Sequence, residues 1–224
     1  MVMNRVFILI GASSELSESF QNILIKKEER YITISRLGNS DINIDSYEEA
    51  EKIIRELKNY SNLYIVFFNG FLAENRPTEI PSYDEILKTD YVNFIIPYFL
   101  TQKFKDSGLN ICKFIYISSI AAIKPRSKNY IYGLSKSKLE KSIAKLIDNY
   151  LIFRFGQIDT KMSNSHANVP LSLSKNEAAK IIYNKIERKN IVYSSLKLRM
   201  VSFLIYFLPI NIIDLVEKRL TGGE

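Results

Sequence analysis

Tyr132 and Lys136 stand four residues apart within residues 129–141, NYIYGLSKSKLEK. If this stretch is helical, one face carries both side chains, and a phenol and an ammonium point into the same cleft. A neighbouring cation favours the ionised form of an acid, so Lys136 is expected to draw the Tyr132 pKa down from its usual value of about 10 towards the working pH. Such a tyrosine passes a proton to or from a carbonyl or alcohol oxygen. The spacing alone is weak evidence. With 14 tyrosines in a lysine-rich chain it recurs, and Tyr193 with Lys197 is a second instance. A surface helix with a tyrosine on its buried edge is the competing reading.

Other chemistries find less support. His166 is the one histidine, which leaves no Ser-His-Asp triad and no histidine cluster, so no metal site is expected. Cys112 is the one cysteine, which excludes an internal disulfide and fits a reducing compartment. Its apolar setting, ICKFIYI, reads as a buried, inert thiol. The net charge of +7 and pI near 9.3 allow an anionic cofactor, nucleic acid or a membrane surface. Lysine and arginine are spread along the chain without a recognition motif, so nucleic acid is not expected as a partner. The apolar run near the start covers about five residues before Gly11, where a secretory signal needs about 7–15, so a first strand is expected there.

The elements that must position the pair follow an alternating order. At 224 residues, with 46% apolar and 25% charged side chains, one domain with a proper core is the simplest expectation. Residues 5–10, RVFILI, form a short apolar run ended by Gly11, as in a strand buried on both faces. Ser13 and Ser14 lead into the helical ELSESFQNILIKK, and a dinucleotide pyrophosphate would sit at such a helix N-terminus. A plain strand-to-helix turn is the alternative. Residues 31–36, YITISR, read as a second strand. Where an NAD-preferring enzyme carries an acid, Ser35 and Arg36 stand instead, which suits a 2′-phosphate and NADP ahead of NAD.

A short third strand (41–44) and an amphipathic helix (46–60) follow, then a fourth strand, LYIVFF, stopped by Asn69-Gly70. A long helix over 83–105 contains Pro97, which has no N–H to give the carbonyl of Asn93. The freed carbonyl could hold a water. Residues 111–119 read as a fifth strand ending at Ser119, residues 149–156 as a sixth, and NIVYSS as a seventh. Residues 163–174 are polar and irregular and read as a mobile lid, with Ser174 capping the next helix. The fold class is therefore α/β: a doubly wound parallel sheet of about seven strands with helices on both faces.

In order and spacing these residues resemble the short-chain dehydrogenase/reductase family to about residue 195. The resemblance rests on Gly11-Ala12-Ser13-Ser14, Asn69-Gly70, Asn93, Ser119, Tyr132-Gly133-Leu134-Ser135-Lys136 and Gly156-Gln157-Ile158-Asp159-Thr160. It implies a Rossmann-type domain over 1–199 that transfers hydride between NADP(H) and a secondary alcohol or ketone. Tyr132 would be the general acid/base, Lys136 would lower its pKa and hold the ribose hydroxyls, and Ser119 would steady the reacting oxygen. Asn93 would hold a relay water through its carbonyl. Gly11, Ser13, Ser14 and Leu16 would bind the cofactor at the turn, Arg36 and Ser13 would meet the adenosine phosphate, and Asp41 the adenine. Asn69 and Gly70 would line the groove, and Ile158 and Thr160 would meet the nicotinamide carboxamide. Family members are often dimers or tetramers, so a homo-oligomer taking a small-molecule substrate in the cytoplasm is the expectation.

Departures bear on cofactor affinity. Glu15 and Ser17 replace two glycines of the usual turn, Asn69 is one place closer to its glycine than usual, and Phe155 stands where a proline commonly precedes Gly156. They motivate an alternative, a binding or regulatory module that kept the fold without cofactor use. An epimerase or dehydratase recycling NAD(P) is a third reading. The tail, 200–224, includes the apolar residues 200–216, about 17 in number and broken by Pro209, Asn211 and Asp214, too short and interrupted for a confident membrane span. It reads either as a helix pair on the core or a dimer interface, or as a surface resting peripherally on the inner face of a membrane. GASSELS with such a tail looks similar to reductases of lipid-linked or nucleotide-linked sugars in bacterial envelope synthesis.

Overall fold

The computed structural model describes residues 5–36, 39–73, 81–126, 129–163 and 171–220. Seven parallel strands form the sheet: Val6–Ile10 (β1), Arg30–Ser35 (β2), Ile42–Asn43 (β3), Leu63–Phe67 (β4), Ile111–Ser119 (β5), Tyr150–Phe155 (β6) and, at one edge, Asn190–Tyr193, in the order β3-β2-β1-β4-β5-β6-edge. Two further short strands, Ile158–Asp159 (β7) and Leu173–Ser174 (β8), pair with each other beside the cleft, so the edge strand is β9. The strand order reverses between β1 and β4, and ligands of such sheets bind at that switch point, beyond the carboxyl ends of the strands.

Period-two alternation in β1 explains why both faces need cover. Val6, Ile8 and Ile10 point to one side, where they meet Ala50–Leu57 (α2), Ile96–Lys105 (α4) and Tyr130–Leu146 (α5). Phe7 and Leu9 point to the other, against Glu15–Lys26 (α1) and Lys175–Asn184 (α6). Every residue of β1 and β4 is buried, as the unbroken apolar runs require. Serine caps start α1 (Ser14) and α6, where Ser174 and Glu177 form a reciprocal capping box. The third helix, Tyr83–Asp90 (α3), leads into the fourth.

Three sequence expectations change. The long helix is continuous in space but opens into a π turn, Tyr91–Ile95, just before Pro97. The widened backbone absorbs the missing proline N–H. Cys112 is exposed and not buried. Between Leu63 and Tyr64 the register of β4 on β5 shifts, leaving Cys112 as an extra residue in a bulge that turns its side chain outward. Of the segment read as a lid, residues 164–170, including His166, lie outside the described residues, while Leu173–Ser174 is strand β8. The tail forms two helices, Leu196–Phe207 (α7) and Ile210–Leu220 (α8), and among the described residues no helix is long and apolar enough to cross a membrane.

Phe20 of α1 is wholly buried between Phe7, Phe68 and Tyr183. Phe20→Ala is expected to lower unfolding stability by about 3–5 kcal/mol, read from urea denaturation midpoints.

Candidate active site

Ser119 ends β5, and its hydroxyl accepts the N–H of Ala121 (3.2 Å), starting the 3₁₀ turn Ile120–Ala122. Helix α5 packs directly on this turn because residue 133 is glycine. A Cβ there would lie 2.7 Å from the Ala121 carbonyl oxygen and 3.1 Å from Pro125 Cα, distances that real side chains do not occupy. The contact brings Tyr132 to the strand end, where its phenol lies beside the Ser119 side chain. One turn on, buried Lys136 donates to the carbonyls of Ile117 (3.0 Å) and Asn69 (3.5 Å), its Nζ lying 5.9 Å from the Tyr132 ring centre. A further turn on, Glu140 accepts from Ser118 Oγ (2.6 Å) and is bridged to Arg154, whose other arm reaches the Tyr193 hydroxyl (2.7 Å). The second Tyr-x3-Lys is therefore no pair: Tyr193 belongs to this bridge, and Lys197 is exposed on α7.

Burial decides the electrostatics of the pair. The Tyr132 phenol is pushed up to about 12 by desolvation, opposed by the Ser119 hydroxyl beside it. Lys136 is pushed down to about 8 by desolvation, opposed by the Glu140 charge. The expectation that Lys136 lowers the Tyr132 pKa is thus corrected. In the cleft as it stands, burial shifts both groups towards their neutral forms, because the cost of removing charge from water outweighs what their neighbours return; Tyr132 is then neutral at ordinary pH, while Lys136 keeps most of its charge below pH 8.

These groups open into one cleft of about 1260 Å³, larger than the ~300–1,000 Å³ of ordinary ligand pockets and roomy enough for a dinucleotide beside a substrate. Gly11, Ser13, Ser14, Leu16, Arg36, Asn69, Gly70, Ser119, Tyr132, Lys136, Ile158 and Thr160 all line it. Gly11 turns the chain with φ of +78° and sits 3.1 Å, measured from a hypothetical Cβ, from the Asn69 nitrogen, so a larger residue would close the crossing of the two strand ends. Ser14 caps α1, accepting from the Ser17 N–H (3.2 Å). Exposed Ser13 and Arg36 remain at the rim, while Ser35 turns inward to Ser40 (2.6 Å).

Two predicted residues are placed elsewhere. Asp41 accepts from the backbone and hydroxyl of Thr33 (2.8 and 2.7 Å), pinning β3 to β2, and does not line the cleft. Asp45 and Tyr47 stand there instead. Asn93 is fully buried with its amide clamping Phe71 on both sides, donating to the carbonyl (2.7 Å) and accepting the N–H (3.1 Å). Any role in a water relay rests on its carbonyl alone, within the π turn. Sequence reading also missed Tyr47. Its phenol lies beside Asn69 and the backbone of Gly11, and its ring lies 5.8 Å from the Arg36 guanidinium carbon.

Glu15 is drawn away from the phosphate turn by one backbone amide and one ammonium. Its carboxylate takes the Lys161 N–H (2.6 Å) and the Lys175 ammonium (2.9 Å), which together hold its pKa below the usual carboxylate range. Ser17 is fully buried where a glycine is usual, its hydroxyl accepting from Gln21 (3.4 Å). Two buried amide oxygens on the cleft wall, Asn69 Oδ1 and Asn129 Oδ1, have no protein partner. Buried acceptors of this kind are completed by a ligand or water. The wall therefore fits an extended, polar nucleotide at the switch point.

No family model matches the sequence, and no curated protein matches it. Solved structures do. A short-chain dehydrogenase from Burkholderia cenocepacia J2315 in complex with NADP superposes at a TM-score of 0.70, with 16% identity over 96% of each chain. The fold is that of the short-chain dehydrogenases. An alcohol dehydrogenase of this fold from Thermococcus sibiricus, complexed with 5-hydroxy-NADP, gives 0.68 at 16% identity, covering 84% of this chain and 95% of its own. The 3-alpha-hydroxysteroid dehydrogenase from Pseudomonas sp. B-0831, complexed with NADH, gives 0.61 at 14%, covering 87% and 98%.

Alanine in a helix normally improves on glycine by about 1 kcal/mol, but at residue 133 the clash with backbone should win. Gly133→Ala is expected to lose about 1–3 kcal/mol in urea unfolding. Between pH 8 and the ordinary lysine value of 10.5, the unfolded chain keeps a proton that folded Lys136 has released, so this residue adds stability as pH rises through that window. Against Lys136→Met, which lacks that titration, the parent should gain about 3 kcal/mol from below pH 8 to above 10.5, read from unfolding curves across the range.

Proposed function

We propose that the chain is an NADP(H)-dependent oxidoreductase of the short-chain dehydrogenase/reductase family, interconverting a ketone and a secondary alcohol. The observation that carries this reading is the Tyr132 phenol beside the Ser119 hydroxyl, with the Lys136 ammonium buried behind it and all three lining the cleft. A bound NADPH would supply the hydride to the carbonyl carbon. Ser119 donates a hydrogen bond to the carbonyl oxygen, and Tyr132 gives it a proton as negative charge develops there. A phenol kept neutral at ordinary pH holds that proton ready, which favours the reducing direction. An ammonium has three donors; with Ile117 and Asn69 taking two, one is left for a ribose hydroxyl.

NADP is favoured over NAD by Arg36, exposed at the end of β2 where no carboxylate stands to take a 2′-hydroxyl. The non-catalytic alternative rested on Glu15 and Ser17. It is weakened because Glu15 is drawn aside to Lys161 and Lys175 and Ser17 fits in the helix–sheet contact. Beyond Tyr132 the wall is largely apolar, with Val92, Ile120, Leu198, Val201 and Leu204 among its residues. A substrate with an apolar body suits it better than a bare sugar, so of the envelope-synthesis expectation a lipid-linked intermediate fits best.

Calorimetry should give tighter binding of NADPH than NADH, with Arg36→Ala weakening NADPH by about 10–100-fold and leaving NADH nearly unchanged. Tyr132→Phe should retain NADPH affinity while lowering turnover of a ketone panel by about 10²–10⁴-fold, followed by NADPH absorbance. Parent-like turnover in Tyr132→Phe, or no dinucleotide binding by the parent, would refute the proposal.

A further inference from the structure

Helix α7 is apolar on two faces at once. Leu198, Val201, Ile205 and Leu208, spaced three or four apart, face the cleft. Leu196, Met200, Phe203 and Phe207 form a second stripe at the same spacing and face outward, 72%, 63%, 66% and 65% exposed. Tyr206 joins this stripe, its ring 5.1 Å from that of Phe207, and Ile212 and Leu215 of α8 are exposed beyond it. A helix apolar all round belongs in a protein core or in lipid, and the outer stripe has no core over it.

The hairpin is held firmly to the body. Ser195 caps the start of α7 (3.1 Å to the Leu198 N–H), and the Lys124 ammonium takes the carbonyls of Tyr206 (3.2 Å) and Leu208 (2.6 Å) at its end. The outward stripe is therefore presented on a fixed element. Its charge is one-sided. From Arg188 to Ile213 the chain has Arg188, Lys189, Lys197 and Arg199 and no acidic residue. Lys197 and Arg199 are exposed on the same helix as the aromatic stripe.

We propose that the α7–α8 hairpin docks the protein on an anionic lipid bilayer, with Phe203, Tyr206 and Phe207 in the interface and Lys197 and Arg199 on lipid phosphates. A second copy of the chain suits this surface less well. The first carboxylate after this stretch is Asp214, on α8, and α7 itself carries none, so a two-fold interface along α7 would bring Lys197 and Arg199 of each copy together with no acidic partner on that helix. On a bilayer the same cations are favourable. The inner stripe then places the cleft mouth beside the lipid. This docking does not depend on the cofactor or on Tyr132.

Co-sedimentation of the full chain with vesicles tests it. Strong binding is expected to vesicles of mixed phosphatidylglycerol and phosphatidylcholine, weak binding to phosphatidylcholine alone, and a decline in high salt. F203E/F207E should lose affinity by about tenfold or more, and K197E/R199E by at least about fivefold per residue. Both variants should keep the parent's melting temperature and its NADPH binding, whatever that is. Parent protein remaining in the supernatant overturns the proposal. So does a dimer by light scattering that F207E dissociates, since a second copy would then cover the stripe. A failed NADPH titration with intact vesicle binding would refute the reductase reading and leave the docking standing.

Discussion

A lysine ammonium removed from water between two strand ends is the constraint on which the cleft of this molecule depends. Lys136 bridges the carbonyl of Ile117 in β5 and that of Asn69 just past β4, so one side chain ties two neighbouring strands to helix α5. Helix α5 is in turn drawn against the turn after β5 by the missing side chain at Gly133, and only then can Tyr132 meet Ser119. Position and electrostatics are thus linked. The burial that fixes the pair also drives both groups towards neutrality, and the chain sustains this by placing Glu140 one turn further along, itself anchored to Arg154 and Ser118. Such a cluster costs stability in isolation and is retained where a site needs it.

The fold was legible because its signal is periodic and long. Residues 5–10 and 63–68 read as strands buried on both faces, and both are. The cleft members Gly11, Ser119, Tyr132 and Lys136 were legible for another reason: Gly11 follows β1, Ser119 ends β5, and Tyr132 and Lys136 lie in the first two turns of α5, at element boundaries that the sequence marks. Asp41 was misplaced by the same logic. A carboxylate just before a short strand reads equally as a ligand group or as a local clamp, and Thr33 across the ladder supplies a donor pair that the linear chain does not display. Tyr47 carried no local signal, since its contacts with Asn69 and Gly11 join residues that only the sheet brings together. The sign of the Tyr132 shift was missed because charge proximity can be read from spacing, whereas desolvation cannot.

Glu15 shows how a local rule can fail without harm to the site. A carboxylate beside a phosphate turn is unfavourable in sequence terms, but here it binds the loop after β7 through Lys161 and the start of α6 through Lys175. The turn that would cradle an anion and the segment that would border the nicotinamide are joined by that one side chain. Helices α1 and α6 already pack on the same sheet face around Phe20 and Ile182. The ion pair extends this contact to the rim of the cleft.

The bulge that ejects Cys112 has a practical outcome. The thiol lies where β5 begins, at the end of the sheet remote from the cleft, and it is the chain's sole cysteine. Partial desolvation and the Glu187 charge keep it more protonated than an ordinary thiol, so it reacts more slowly than one at neutral pH. A single fluorophore or spin probe can therefore be attached there stoichiometrically, giving an observer of the molecule's tumbling and surface attachment that leaves the nucleotide groove untouched.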